Sequence, residues 1–165
     1  MAGSTATARI DSPIGVVAII ADEDALRGVR ILAKQRGELP PTRHLLLTEA
    51  VLQMRAFFNG ALRRFDLPLA PLESEEGAAL RAAIAAIPYG ETLTYGALAT
   101  QIGSVARAVG QACKANPYPI IIPCHRVVST SGPEYYSGGE GPRTKSWLLD
   151  FEYANLPPEK RTRLL

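Results

Sequence analysis

Alternating apolar and polar positions open the chain and predict a small sheet. Between residues 6 and 33, the stretches TARID, GVVAIIAD and LRGVRILA have the length and patterning of strands, and SPIG separates the first two. Period-two patterns divided by proline and glycine indicate β-strands joined by tight turns. We therefore expect a small, mostly antiparallel sheet in the N-terminal lobe.

A change to helical spacing follows the predicted sheet. Over residues 45–62, apolar side chains recur three or four positions apart, which predicts an amphipathic helix. The proline-punctuated stretch FDLPLAPLES then indicates a linker. We place a domain boundary there, with residues 1–70 forming an N-terminal α/β lobe and residues 71–165 a second domain.

The second half reads as mostly helical. Helices are predicted at residues 76–87, 94–102, 105–115 and 145–154, and PIIIPCHRVV is a short β-rich run between the last two. Gly103 is placed to end one short helix and Ser104 to cap the next. Two helices joined in this way are typical of a helix-turn-helix, although the same corner occurs in many domains that bind no DNA. The predicted fold class is α/β (α+β).

The distribution of charge is more informative than its sum of +2. Residues 92–133 contain no Asp or Glu but include Arg107, Lys114 and Arg126. Such a segment favours contact with phosphate groups. A mostly buried segment would have the same composition, so charge alone leaves both interpretations open.

Composition excludes several classes of protein. A hydrophobic content of 47% with 21% charged residues is typical of a soluble globular chain. No apolar run approaches the roughly 18 residues that span a bilayer. The first residues have no basic segment followed by an apolar core, so we predict no secretory leader and expect a cytoplasmic location. Two cysteines and two histidines are too few for a disulfide framework or a structural zinc site, and we expect no metal and no cofactor.

Cys124 is the residue with the clearest chemical interest. It follows Pro123 and precedes His125 and Arg126, two side chains that can carry positive charge and so favour a nucleophilic thiolate. Most free cysteines are instead small buried hydrophobic residues. From the residues alone, an inert thiol and a nucleophile remain equally good interpretations. Cys113, in the middle of a predicted helix, is interpreted as buried.

The sequence around Cys124 resembles a known family. NPYPIIIPCHRVV is similar to the active-site signature of the O6-alkylguanine-DNA alkyltransferases, the methylated-DNA–protein-cysteine methyltransferases. SPIG, FFNGALRRFDLPL, IPYGETLTYGALA, ARAVGQA, YSGG and KSWLLDFE resemble further blocks in the family's order. Together they cover most of residues 8–153. The Pro-Cys-His-Arg block with its upstream Asn-Pro is highly specific, whereas SPIG alone is weak.

The resemblance implies a set of catalytic residues. Cys124 matches the alkyl acceptor, His125 the base linked to it through water, and Glu152 the carboxylate that orients the base. Asn116 matches the residue that braces the active-site turn. Tyr95 matches the tyrosine whose hydroxyl donates toward the departing guanine.

The resemblance also implies a DNA surface and a base pocket. Arg107 matches the side chain that fills the gap left by a flipped base, and the other expected DNA contacts are Tyr95, Ala108, Lys114 and Arg126. The expected lining of the base pocket is Pro119, Val127, Tyr136 and Ser137, the last offering its backbone N–H to O6.

Two departures from the family pattern stand out. The segment IGSVARAV, between Tyr95 and Arg107, is about two residues shorter than the usual turn, which could move Arg107 relative to the pocket. The helix before IPYGET usually carries a Phe-Gln and a Val-Trp pair, and this chain has EEGAALRAAIAAI instead. The loop GGEGPRTK is also slightly longer than usual. None of these changes involves Cys124, His125 or Glu152.

The expected function is DNA repair by a single-turnover protein. It would move an alkyl group from O6-alkylguanine, with O4-alkylthymine as a second candidate lesion, to its own Cys124. The expected partner is double-stranded DNA, with no membrane and a monomeric protein. The alternatives are a lesion-recognition protein that flips alkylguanine without repairing it, and a cysteine hydrolase. Relatives of the first kind lack the cysteine, and the second would leave the helix-turn-helix unexplained.

Overall fold

The computed structural model describes residues 4–130, 136 and 138–161. Its first half contains strands β1 (Ala6–Ser12), β2 (Gly15–Ala21) and β3 (Leu26–Leu32), followed by helix α1 (Leu45–Phe58). The strands form an antiparallel sheet in the order β1-β2-β3, with Ile10 opposite Val17 and Ile19 opposite Val29. The predicted antiparallel sheet is therefore confirmed.

Helix α1 begins where the apolar spacing begins, but it ends earlier than predicted. The imidazole of His44 caps it by accepting a hydrogen bond from the N–H of Leu47. The helix ends at Phe58 rather than at residue 62, because Asn59 closes it and Gly60 adopts a positive φ of 82°. Met54 and Phe57 are fully buried and pack this helix into the core.

The second half is mostly helical, as predicted. It contains α2 (Glu75–Ala85), the two-residue strand β4 (Leu93–Thr94), α3 (Tyr95–Ile102), α4 (Ala106–Lys114), strand β5 (Val127–Val128) and α5 (Pro142–Ala154). Strands β4 and β5 pair in parallel, which the sequence did not indicate. Short 3-10 turns lie at Cys124–Arg126 and Pro158–Lys160.

Helices α3 and α4 form the predicted helix-turn-helix pair with one change at the turn. Gly103 ends α3 in the left-handed conformation, with φ of 67°. Ser104 does not cap α4 as predicted, because its N–H is bonded to the carbonyl of Ala99 and so belongs to the end of α3. Val105 is the N-cap instead, and its side chain makes no capping hydrogen bond.

The prediction of a β-rich run at PIIIPCHRVV is wrong except at its end. The chain turns tightly after Asn116, enters the 3-10 turn at Cys124, and is a strand only at Val127–Val128. Prolines remove the backbone donors that a strand would need, and Ile120 adopts a positive φ of 76°. The apolar side chains are buried because the turn lies inside the protein.

Strand β3 connects the two halves of the molecule. The N–H of Val29 donates to the carbonyl of Pro117 at 2.9 Å, and the hydroxyl of Tyr118 donates to the carbonyl of Leu26 at 2.7 Å. The N–H of Ala70 donates to the same hydroxyl at 3.2 Å. The segment that leads to Cys124 is therefore attached to the N-terminal sheet by backbone and side-chain bonds.

Two glycines with positive φ provide a test of the sheet's geometry. Gly15 has φ of 106°, and a Cβ there would lie 2.6 Å from the Cα of Ala33, whereas Gly37 has φ of 121° and no atom within 4 Å of that position. We expect Gly37→Ala to lose only about 1–3 kcal/mol of unfolding free energy to backbone strain. Gly15→Ala should lose a further ~1–3 kcal/mol to overpacking. Urea denaturation measures both, and equal losses would contradict the packing at Gly15.

Candidate active site

Cys124 lies at the start of a 3-10 turn and is only 3% exposed. Its N–H donates to the carbonyl of Ile122 at 2.7 Å, across Pro123. This close bond holds the cysteine at the inner end of a tight turn. The sulfur is therefore presented from a rigid backbone rather than from a loose loop.

Asn116 ties the two ends of that turn together. Its amide nitrogen donates to the carbonyl of Ile122 at 2.9 Å and to Sγ of Cys124 at 3.3 Å. Its amide oxygen accepts the N–H of Tyr118 at 2.9 Å. One side chain thus shapes the turn and donates directly to the sulfur, in keeping with the bracing role expected for it.

Glu152, from α5, lies in the centre of the site and is fully buried. Its carboxylate accepts hydrogen bonds from Nε and Nη2 of Arg126 at 2.8 and 3.0 Å, from Nε2 of His125 at 2.6 Å and from the N–H of Gly90 at 3.3 Å. Burial raises the pKa of this carboxyl, but contact with His125 and Arg126 outweighs burial and lowers the pKa to about 2. Glu152 is therefore ionised at neutral pH.

His125 is fully buried beside Glu152. Burial lowers the pKa of the imidazole, and the Glu152 carboxylate only partly opposes that effect. A neutral imidazole carries one proton, and an ionised carboxylate can only accept, so the proton lies on Nε2. This leaves a lone pair on Nδ1, which has no hydrogen-bond partner among the described residues. His125 is arranged as a base.

Arg126 does not have the position that its predicted DNA contact requires. The side chain is buried, its guanidinium is bound to Glu152, and Nη1 donates to the carbonyl of Ile87 at 2.7 Å. The prediction that Arg126 contacts phosphate is therefore wrong. Its positive charge also stabilises the Glu152 carboxylate rather than the Cys124 thiolate, although its place two residues after Cys124 had suggested the thiolate.

Lys145 is a site residue that the sequence analysis missed. It is 1% exposed, its Nζ donates to the carbonyl of Val127 at 2.7 Å, and Nζ lies 5.7 Å from the centre of the Tyr95 ring. Positions 145, 148 and 152 fall on one face of α5, where Leu148 and Glu152 are also buried. A lysine at helical spacing from Leu148 and Glu152 was the feature of the sequence that could have identified Lys145 as a site residue.

Burial controls the acidity of the two cysteines. It raises the pKa of Cys124, while the Asn116 hydrogen bond and the charge of Lys145 act in the opposite direction. Burial raises the pKa of Cys113 to about 12. Lys145 acts on Cys113 as well. Cys124 is thus mostly a thiol at neutral pH, but it is the cysteine that also has a hydrogen-bond donor, Asn116, and a neighbouring base, His125.

The remaining predicted residues fall into two groups. Pro119, Val127 and Tyr136 are buried, and the Tyr136 ring lies 6.5 Å from the His125 ring, whereas Ser137 lies outside the described residues. Tyr95 begins α3 and is half-buried.

Helix α4 carries the other group on its surface. Arg107 and Lys114 are exposed, Ala108 is half-buried, and Val109 and Cys113 form the buried face. The fold thus places these cations on a separate outer surface, away from the buried carboxylate.

This chain is similar to known proteins over most of its length. Residues 7–71 match the ribonuclease-like domain of 6-O-methylguanine DNA methyltransferase, and residues 78–154 match the DNA-binding domain of the same family. A methylated-DNA–protein-cysteine methyltransferase from Methanosarcina acetivorans is 39% identical over 150 residues, which are 86% of this chain and 94% of the relative.

Solved structures show the same similarity. The Mycobacterium tuberculosis O6-methylguanine methyltransferase superposes with a TM-score of 0.78 at 36% identity, over 94% of this chain and 96% of the other. The structure of the M. tuberculosis protein in complex with DNA has a TM-score of 0.76 at 37% identity, over 92% and 94% of the two chains. The chain described here belongs to the 6-O-methylguanine DNA methyltransferase family.

No helix in the part of the chain that the structure describes has the length and apolar character needed to cross a membrane.

The position of Lys145 generates a test of thiol acidity. Lys145→Met removes the cation but keeps an unbranched side chain, so the pKa of Cys124 should rise further. Because a thiol reacts as the thiolate, the rate of Cys124 modification should rise with pH in both proteins, and the variant should be about tenfold slower at neutral pH, the effect of one pKa unit. Iodoacetamide labelling with peptide mass analysis measures this rate. Lys34→Met, at an exposed lysine, is the control, and an unchanged pH profile in Lys145→Met would contradict the assignment.

Proposed function

We propose that this protein repairs alkylated DNA by moving an alkyl group from O6 of guanine to Sγ of Cys124. Membership of the family and the names of its relatives support this activity. The observation that carries the proposal for this chain is the arrangement at Cys124. Its sulfur accepts a bond from Asn116, and the next residue, His125, is held as a neutral base by Glu152.

The chemical step is a displacement at an sp³ carbon. The thiol proton of Cys124 passes to Nδ1 of His125 through a bridging water, and the sulfur attacks the alkyl carbon in line with the C–O6 bond. The S–C bond forms as the C–O6 bond breaks, and the bonding pair moves to O6. The purine takes up one proton, which balances the proton lost by the thiol, and guanine leaves as a neutral base.

Tyr95 and Lys145 assist the two ends of this reaction. The Tyr95 hydroxyl donates toward the purine, while the cation of Lys145, close to the Tyr95 ring, stabilises negative charge on the Cys124 sulfur. A thioether is not hydrolysed in water, so the protein acts once. The pocket lining would come from Pro119, Val127, Tyr136 and Ser137.

Access to the buried sulfur requires the damaged base to leave the duplex. A base inside the stack cannot reach an acceptor that is buried in the protein, and extrusion costs a few kcal/mol. Helix α4 supplies the DNA surface through Arg107, Ala108 and Lys114, with Arg107 filling the gap left by the flipped base. We propose that a monomer carries out this reaction, with residues 71–165 holding the DNA-binding and acceptor parts and residues 1–70 forming the supporting lobe.

Intact-protein mass spectrometry tests the proposed transfer. After incubation with duplex DNA containing O6-methylguanine, the wild type should gain one methyl group in place of one hydrogen, and Cys124→Ala should gain none. Cys113→Ala is the matched control and should react like the wild type, because burial keeps that second thiol protonated. Folded wild-type protein that binds the lesion DNA with unchanged mass would instead support the lesion-recognition alternative.

The exposed cations on α4 predict a steep dependence of DNA binding on salt. Each phosphate contact contributes roughly −0.9 to the slope of a plot of the logarithm of the binding constant against the logarithm of the salt concentration. Lys114→Gln should therefore weaken binding to undamaged DNA and reduce the slope by about one. Lys34→Gln serves as the control for a surface lysine in the other lobe. Fluorescence anisotropy titrations measure the slope, and a flat dependence for the wild type would contradict a phosphate-contacting role for α4.

A further inference from the structure

Val105 is the most prominent apolar group at the turn between α3 and α4. Its side chain is 63% exposed, while the other residues of the turn, Gly103, Ser104 and Ala106, are all small. No atom lies within 4 Å of a Cβ built at Gly103. A branched apolar side chain therefore stands clear of the surface at the N-terminal end of α4.

Valine is also a poor choice for the structural position that it occupies. Val105 is the N-cap of α4, since its carbonyl accepts the N–H groups of Ala108 and Val109 at 3.0 and 3.3 Å. Serine, threonine, aspartate and asparagine stabilise helices at this position, whereas valine offers no capping oxygen. Exposure to water and loss of a cap are both unfavourable. Residues that break a local rule in this way are often functional.

The surroundings of Val105 favour DNA as its partner. Residues Arg107, Gln111 and Lys114 are exposed at helical spacing along α4, and residues 92–130 contain no acid. In helix-turn-helix proteins the N-terminal residues of the second helix approach the base edges. Apolar side chains inserted between bases help to unstack and kink a duplex.

We propose that Val105 is an apolar wedge that packs into the DNA duplex beside the site where Arg107 fills the gap left by the damaged base. This inference rests on the proposed function. Its role is to assist opening of the base stack, and it takes no part in the transfer at Cys124. The short turn makes this possible, because Ser104 is used to end α3 and Val105 is left at the tip.

If Val105 acts as a wedge, Val105→Ser should increase the thermal stability of the protein and slow its reaction with duplex DNA. Val105→Ser adds a capping hydroxyl, which should raise the melting temperature by about 2–4 °C. The same change removes the apolar contact, so transfer from O6-methylguanine in duplex DNA should slow about fivefold or more. Transfer from the same lesion in a single strand, and from free O6-benzylguanine, should stay within about twofold of the wild type because no duplex has to be opened.

A second variant of Val105 separates the effect of the helix cap from the effect of the apolar contact with DNA, and a variant in the other lobe is a surface control. Val105→Ala removes the apolar branches without adding a cap, so it should show the same loss on duplex DNA with no gain in melting temperature. Leu45→Ser, at an apolar residue that is 90% exposed in the other lobe, should keep the wild-type rate on every substrate. All assays use purified protein, so an effect that needs another protein is excluded.

The outcomes distinguish this inference from the proposed function. If the wild type transfers alkyl groups but Val105→Ser or Val105→Ala keeps the duplex rate, the wedge is wrong and the proposed function stands. A loss of equal size on duplex, single-stranded and free-base substrates also overturns the wedge, since it would place the effect at the acceptor site. If the wild type reacts with none of the three substrates, both proposals fail.

Discussion

The carboxylate of Glu152 joins three segments that are far apart in the sequence. It holds Arg126 through two hydrogen bonds, orients His125 through a third, and accepts the N–H of Gly90. A buried carboxylate is unfavourable unless its charge and lone pairs are satisfied, and here nearly every acceptor direction is used. The position of α5, the tautomer of His125 and the position of the cysteine turn therefore depend on one another.

This arrangement separates the charge that stabilises the fold from the charge that acts on the sulfur. Arg126 follows Cys124 closely in sequence, yet its guanidinium is committed to Glu152. Burial raises the pKa of Cys124, and the cation that opposes this effect is Lys145, which comes from α5. A thiol that stays protonated in the resting protein is protected from indiscriminate alkylation, and in the proposed reaction His125 takes up its proton when a substrate is aligned.

Local patterns in the sequence predicted the elements that depend on local physics. Alternation gave β1 to β3, and Gly103 marked the end of α3 because its positive φ suits glycine. The apolar run after Asn116 was misread as a strand, because burial in an interior turn produces the same composition. The resemblance to the family supplied the pairing of His125 with Glu152. The hydrogen-bond partners of Arg126 and Lys145 could not be predicted, because they lie on segments that only the folded chain brings close to these long side chains.

The bonds between β3 and the cysteine turn have a consequence for how such a protein can be divided. A boundary near residue 70 is easy to draw in the sequence, but Val29 and Leu26 exchange hydrogen bonds with Pro117 and Tyr118 across it. A chain cut at that boundary would leave the hydroxyl of Tyr118 and the carbonyl of Pro117 without these partners and would uncover apolar surface on both pieces. The two halves therefore depend on each other for stability, and exchange of one half between relatives would succeed only where the new strand reproduces these contacts.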